Sequence, residues 1–196
     1  VVDEAMLASC LSRWWGLTGV QVSVHNGGMG SETWYVDSGA RRWVAKAVVP
    51  RDAAQLAGGL AIAQRLEQAG IPAGAPVPAS DGQLLVDVGD AWLALLTWVP
   101  GQPLTGLDDA EQGHIGRTLA QVHRALVGYE LAAASRFHWV DPAADYLSLR
   151  RWLRPAIIAA LDDLGAARPE GMSWGLLHAD PARARFAWTR SAAGAG

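Results

Sequence analysis

The sequence predicts an α+β fold: a five-stranded antiparallel sheet with one helix set into it, followed by a mostly helical half. Three observations predict it. Between Val20 and Val99 several short runs are apolar or alternate apolar with polar residues, as strands do. From Asp108 onward the apolar residues recur at helical spacing instead. Between the two regimes lies Pro100-Gly-Gln-Pro103, the one composition shift that reads as a boundary. Residues 1–99 are therefore expected to form one lobe, 100–103 a hinge and 104–196 a second lobe.

Asp3 to Trp15 reads as a short helix, with Met6, Cys10 and Trp14 at four-residue spacing, Leu7 and Leu11 beside them, and Gly16 as its stop. Val20, Val22 and Val24 then alternate with polar neighbours and define a half-buried first strand. Glu32 to Asp37 and Arg42 to Val49 follow as second and third strands joined by short turns, an antiparallel meander. Pro50 closes the third. Asp52 to Ala69 is helix-like, with Ala53, Leu56, Leu60, Ala63 and Leu66 on one side, although Gly58-Gly59 weakens it. Gly70-Ile-Pro-Ala-Gly-Ala-Pro-Val-Pro78 is a connector that cannot be helical. Gln83–Val88 and Ala91–Val99 complete the sheet as a hairpin around Gly89-Asp90.

In the second half, Asp108 with Glu111 three residues later is a capping-box variant, ahead of Ile115, Leu119, Val122 and Leu126. Asp141-Pro142 reads as an N-cap and first helical residue, with Tyr146, Leu149, Leu153, Ile157 and Leu161 as a stripe. Pro155 should kink or split that helix, and Gly165 is its plausible stop.

Bulk properties narrow the function. With 196 residues, 51% of them hydrophobic, and a net charge of −3, the chain can bury a sizeable core. Its charge implies neither a nucleic-acid-binding surface nor a disordered acidic chain. The single Cys10 allows no internal disulfide and suits a reducing cytosol. No apolar run is long enough to span a bilayer, and the start Val1-Val-Asp-Glu is wrong for a signal peptide. The expectation is a cytoplasmic protein. The ten Trp residues are scattered and read as packing groups.

Four places could carry chemistry. Gly27-Gly28-Met29-Gly30-Ser31 lies between two strands, where it is either an ordinary hairpin turn or a flap whose N–H groups approach phosphate oxygens. Lys46 shares a strand face with Val44 and Val48, and an ammonium on an apolar face needs an anion unless it snorkels to water. His123 flanks the stripe of the 108–126 helix and reads as a buried, hydrogen-bonded structural histidine. Trp174-Gly-Leu-Leu-His178-Ala-Asp180-Pro181 places a carboxylate just after an apolar anchor and just before a breaker, a place from which an acid accepts a proton from a bound substrate. A His-x-Asp alone also arises by chance. No His/Cys spacing suggests a zinc site.

In this order, a Gly-rich hairpin, a strand Lys, a helix, two strands, a hinge and a His-x-Asp loop resemble the protein-kinase-like fold. Leu119-Ala-Gln-Val-His123-Arg-Ala-Leu126, Gly70-Ile-Pro, Val99-Pro-Gly-Gln-Pro-Leu104 and Leu177-His-Ala-Asp180 look like its aminoglycoside phosphotransferase and small-molecule kinase branch. The resemblance implies a β-sheet nucleotide lobe and a partial helical lobe, truncated just after the catalytic-type loop. It implies that Gly28, Gly30 and Ser31 cover the phosphates of ATP, that Lys46 contacts the α- and β-phosphates, and that the backbone of Thr97, Trp98 and Val99 meets the adenine edge between walls that include Val44 and Leu96. Asp180 would orient a small-molecule hydroxyl and accept its proton, with His178 bracing the loop. Mg2+ is expected for the family, but its ligands are not found. The place of the family's metal-binding Asn holds Arg185, and no Asp, Glu or Asn follows Asp180. The helix lacks an early Glu to pair with Lys46, since Glu67 comes late and Gln55 and Gln64 are weak substitutes. Arg183, Arg185 and Arg190 read as phosphate-neutralising groups or as a basic, disordered tail. Beside an active kinase, a non-catalytic nucleotide-binding pseudokinase and an inactive truncated gene product stay open.

Overall fold

A computed structural model describes residues 2–25, 31–39, 41–104, 107–131, 141–166 and 187–188. Helix α1 spans Glu4–Trp15. Asp3 caps it by accepting the Met6 amide at 2.7 Å, which satisfies one of the donors a helix start leaves open. Gly16 ends it at φ 66°, a conformation that favours glycine, and the Gly16 and Leu17 amides turn back to the Ser12 and Leu11 carbonyls. Leu7 and Leu11, one turn apart, are fully buried; Met6 at the edge of the stripe is 36% exposed.

The expected sheet is present. Strands β1 (Gln21–Val24), β2 (Glu32–Ser38), β3 (Arg41–Val48), β4 (Val86–Asp87) and β5 (Trp92–Thr97) lie in the order β1-β2-β3-β5-β4, every named pair antiparallel. Directly paired residues share a face, so the register divides the sheet. On one side stand the rows Trp34–Ala45–Leu95 and Glu32–Ala47–Leu93. Their apolar members join Val2, Leu7, Leu11, Val36 and Val86 in the main core. On the other stand Thr33–Lys46–Ala94 and Tyr35–Val44–Leu96. Val22 packs on the core, but Val24, at the end of the edge strand, is 55% exposed, so only part of the expected alternation is buried.

After a 3-10 turn at Pro50–Asp52, helix α2 covers Ala53–Gln68 and buries Gly58, Leu60, Ala63 and Leu66. Gly58-Gly59 does not break it, and Gly58 lies on its buried face while Gly59 is exposed.

One expectation about the following segment is met and extended, and one needs correction. The 70–78 connector is non-helical as expected, yet it is also a partner of β5. Thr97 donates to the Ala75 carbonyl and Val77 to the Leu95 carbonyl, both at 2.8 Å, around a bridge between Pro76 and Leu96. The prolines concealed this. Residues 75 and 77 make the bonds, so the missing N–H groups of Pro76 and Pro78 fall where none is needed. Gln83–Val88 contributes only Val86 and Asp87 to the sheet. Asp81 accepts the Gln83 amide at 2.9 Å, and Ala79 donates to the Gln83 carbonyl at 2.8 Å, so residues 79–83 close a tight turn instead. The Gly89-Asp90 hairpin forms, with Val88 donating to the Ala91 carbonyl at 3.0 Å.

Strand β6 (Gln102–Pro103) lies inside the expected hinge and pairs antiparallel with β7 (Ala187–Trp188). Helix α3 spans Asp109–Ala125, and Asp108 caps it by accepting the Glu111 amide at 2.8 Å. Ile115, Leu119 and Val122 are half-buried, and Leu126 just beyond is 3% exposed. The expected helix from Asp141 starts later. Asp141 accepts the Ala143 amide at 2.8 Å in a tight turn, a 3-10 segment covers Asp145–Leu149, and α4 runs only from Leu153 to Ala166. Pro155 therefore sits in the first turn, where its missing N–H costs nothing, and it neither kinks nor splits the helix. Arg154 ties this start back to the turn by donating to the Pro142 and Ala144 carbonyls.

Candidate functional site

The sheet face turned away from the main core collects most of the described candidates. Lys46 is half-buried there between Thr33 on β2 and Ala94 on β5. Thr33 is 6% exposed, and its hydroxyl lies 3.4 Å from that of Ser31. Ser31, two residues before Thr33, thus stands at the same end of the sheet as the Lys. One row along, Val44 and Leu96 are directly paired and half-buried, which gives a flat apolar step beside the ammonium.

The segment after β5 is held firmly. The Thr97 N–H is already bound to Ala75, so that amide is not available to a ligand; Trp98 and Val99 follow, both half-buried. The Trp98 ring meets Tyr35 edge-on at 5.3 Å and 88°, a favoured aromatic geometry. The Arg42 guanidinium lies 5.5 Å from the centroids of both rings. Arg42 also donates twice to Asp37, at 2.6 and 3.1 Å. That hydrogen bond, aided by the positive charge, holds the Asp37 carboxyl below its ordinary range and pushes the Arg42 guanidinium up. No sequence periodicity announces this cluster; the β2–β3 and β3–β5 registers together bring its members into contact.

Glu67 has a different role from the one considered for it. Its Oε1 accepts the amides of Ala73 at 2.8 Å and Gly74 at 3.0 Å, so it braces the connector. Gln55 and Gln64 are exposed. His123 also departs from expectation. It is half-buried, and its Nε2, shut off from solvent, has no hydrogen-bond partner among the described residues. Cys10 is half-buried, and burial pushes its thiol up against the opposing effect of Arg13.

Gly28, Gly30, His178 and Asp180 lie outside the described residues, as do Arg183, Arg185 and Arg190. Among the described residues no group of three or more His, Cys, Asp or Glu side chains could hold a metal ion. No described helix is long and apolar enough to cross a membrane.

Among curated proteins, a homoserine kinase of Rhizobium etli (strain CIAT 652) is 31% identical over 128 residues, covering 62% of this chain. One from Agrobacterium fabrum (strain C58 / ATCC 33970) is 26% identical over the same length. The chain spans 40% of the length of these relatives. Among solved structures, an amicoumacin kinase in complex with AMP-PNP and Ca2+ superposes with a TM-score of 0.63 at 17% identity, covering 91% of this chain and 58% of that one. A microcompartment-associated aminopropanol kinase gives 0.63 at 18% identity, covering 93% and 63%. The fold, a five-stranded antiparallel sheet with its helices, is therefore that of these kinases. The model of the phosphotransferase enzyme family matches residues 21–192, and with most of its length inside that match the chain belongs to this family.

Proposed function

We propose that the chain is part of an ATP-dependent phosphotransferase acting on a small-molecule hydroxyl. The observation that carries this reading is the placement of Lys46, a half-buried ammonium beside the Val44–Leu96 step and at the Ser31 end of the sheet. Residues 1–99 then serve as the nucleotide lobe, 100–103 as the hinge and 104–196 as the lobe that brings the acceptor. The roles follow the chemistry of each group. The N–H groups of Gly28 and Gly30 and the Ser31 hydroxyl cover phosphate oxygens, and Lys46 neutralises the α- and β-phosphates. Val44 and Leu96 wall the base, whose edge meets the backbone of the Trp98–Val99 segment. Asp180 orients the acceptor hydroxyl, with His178 as its brace. The hydroxyl oxygen forms a bond to the γ-phosphorus, the bond from that phosphorus to the β-phosphate bridge breaks, and the hydroxyl proton passes to Asp180. Such transfer depends on positioning and charge neutralisation more than on covalent chemistry by the protein.

Mg2+ normally shares that neutralisation. In this sequence Arg185 stands five residues after Asp180 and no Asp, Glu or Asn follows. A guanidinium offers no lone pair to a metal ion, so the Arg185 position supplies no magnesium ligand. Arg185 favours a second reading in which the chain binds nucleotide without turning it over. The single Cys10 supports a cytoplasmic setting.

ATP turnover with Mg2+, measured over homoserine, amino alcohols and aminoglycosides, separates the readings. Turnover abolished by Asp180→Ala supports the enzyme. Thermal stabilisation by ATP that is lost in Lys46→Ala, without turnover, supports the binding protein. A chain with neither response refutes both.

A further inference from the structure

Glu67, in the last turn of α2, is far along the chain from every group assigned above, yet a short series of contacts links it to the segment after β5. Its Oε1 accepts the Ala73 and Gly74 amides at 2.8 and 3.0 Å, and bonds to an ionised acceptor are about twice as strong as neutral ones. Gly74, at φ 76°, lies against that segment so closely that a Cβ there would stand 3.1 Å from the Thr97 carbonyl oxygen and 3.9 Å from a Val99 methyl. The next residue, Ala75, accepts the Thr97 amide at 2.8 Å. Residues 73–75 are thus held by Glu67 on one side and carry the Thr97 backbone on the other. From the far end, Trp15 Nε1 donates to the Val77 carbonyl at 2.8 Å, so the connector has little freedom to follow β5 if β5 shifts.

We propose that Glu67 is a positioning residue for nucleobase recognition: through residues 73–75 it sets where the Thr97–Val99 backbone stands relative to the Val44–Leu96 step. The inference rests on the nucleotide reading of that segment. It assigns Glu67 to the base side of the ligand and leaves the phosphate side, at Lys46 and Ser31, independent of it. A carboxylate whose only task is to hold the fold together would not distinguish the two sides.

The test measures three probes on the whole chain: ATP, adenosine and tripolyphosphate. Glu67→Ala is expected to weaken ATP and adenosine by about tenfold, equivalent to roughly 1.4 kcal/mol, and to leave tripolyphosphate affinity unchanged. Glu67→Gln keeps an oxygen acceptor and should stay within about twofold of the parent. Amide exchange without ligand should quicken at Thr97 and not at Trp34 in Glu67→Ala. Should that variant fail to fold, Gly74→Ala presses on the same Thr97 carbonyl and should weaken adenosine while sparing tripolyphosphate. Equal losses for all three probes, or unchanged adenosine affinity in a folded variant, overturn the proposal and leave the nucleotide reading intact. A parent chain that binds none of the probes overturns the nucleotide reading, and this inference with it.

Discussion

The sheet with α1 and the stretch from α3 to α4 are equally regular in their apolar spacing and unequal in how they use it. Leu7, Leu11, Val36, Leu93 and Leu95 are closed off completely. No residue of α3 is fully buried, while Leu149, Trp152, Ile158 and Leu161 are 71%, 63%, 43% and 39% exposed. Periodicity reports the direction in which a side chain points. What covers it depends on long-range contacts, and in the described residues these are concentrated on the sheet. Each half nevertheless has a well-made helix start, Asp3 on α1 and Asp108 on α3. Local signals are met in both regions, and the difference between them is one of packing.

The largest expected effect follows from that difference. Leu93→Ala should lower unfolding free energy by about 2–5 kcal/mol, the range for truncating a closed-in leucine. Leu161→Ala, on the open side of α4, should cost well under about 1 kcal/mol. Urea melts of the two variants measure the gap, and equal losses would erase the contrast between regions. Next come the caps. Asp3→Ala and Asp108→Ala should each cost about 1 kcal/mol. The first should appear as a lower global melting midpoint, because α1 is fastened to the core by Leu7 and Leu11. The second should appear chiefly as faster amide exchange in the first turn of α3.

The smallest effect concerns Asp37 and Arg42 at the exposed end of β2–β3. The Asp37 carboxyl is held below its unfolded range by the Arg42 hydrogen bond. Its contribution to stability is therefore present above the ordinary aspartate value, about 3.9, and is lost as pH falls through the lower folded value. Asp37→Asn should flatten the stability profile slightly in that acidic window and change little at neutral pH. An unchanged acid limb would show that solvent screens the pair completely.

Much of this molecule was legible from its residues. Alternation already put Lys46 on one sheet face with Val44 and Val48, and the register adds its neighbours Thr33 and Ala94. The Asp108 cap and Gly16 stop were legible because capping uses a few adjacent residues. Three things were not. The 75–77 pairing is masked by prolines that happen to face away from β5. The clasp from Glu67 to Ala73 and Gly74 crosses a turn, where spacing rules are silent. The delayed start of α4 was hidden because Asp141 accepts the Ala143 amide, a bond that an N-cap and an isolated tight turn both make.

The small ribbon of β6 and β7 has a consequence for how the chain is made. Its two strands flank everything from Leu104 to Phe186, so closing it joins the two ends of a long stretch of chain that contains α3 and α4. During synthesis the backbone at Gln102 and Pro103 emerges early and waits without this mate until Ala187 and Trp188 have cleared the ribosome. The sheet can assemble on the nascent polypeptide, but this clasp can close only after Phe186 has been made.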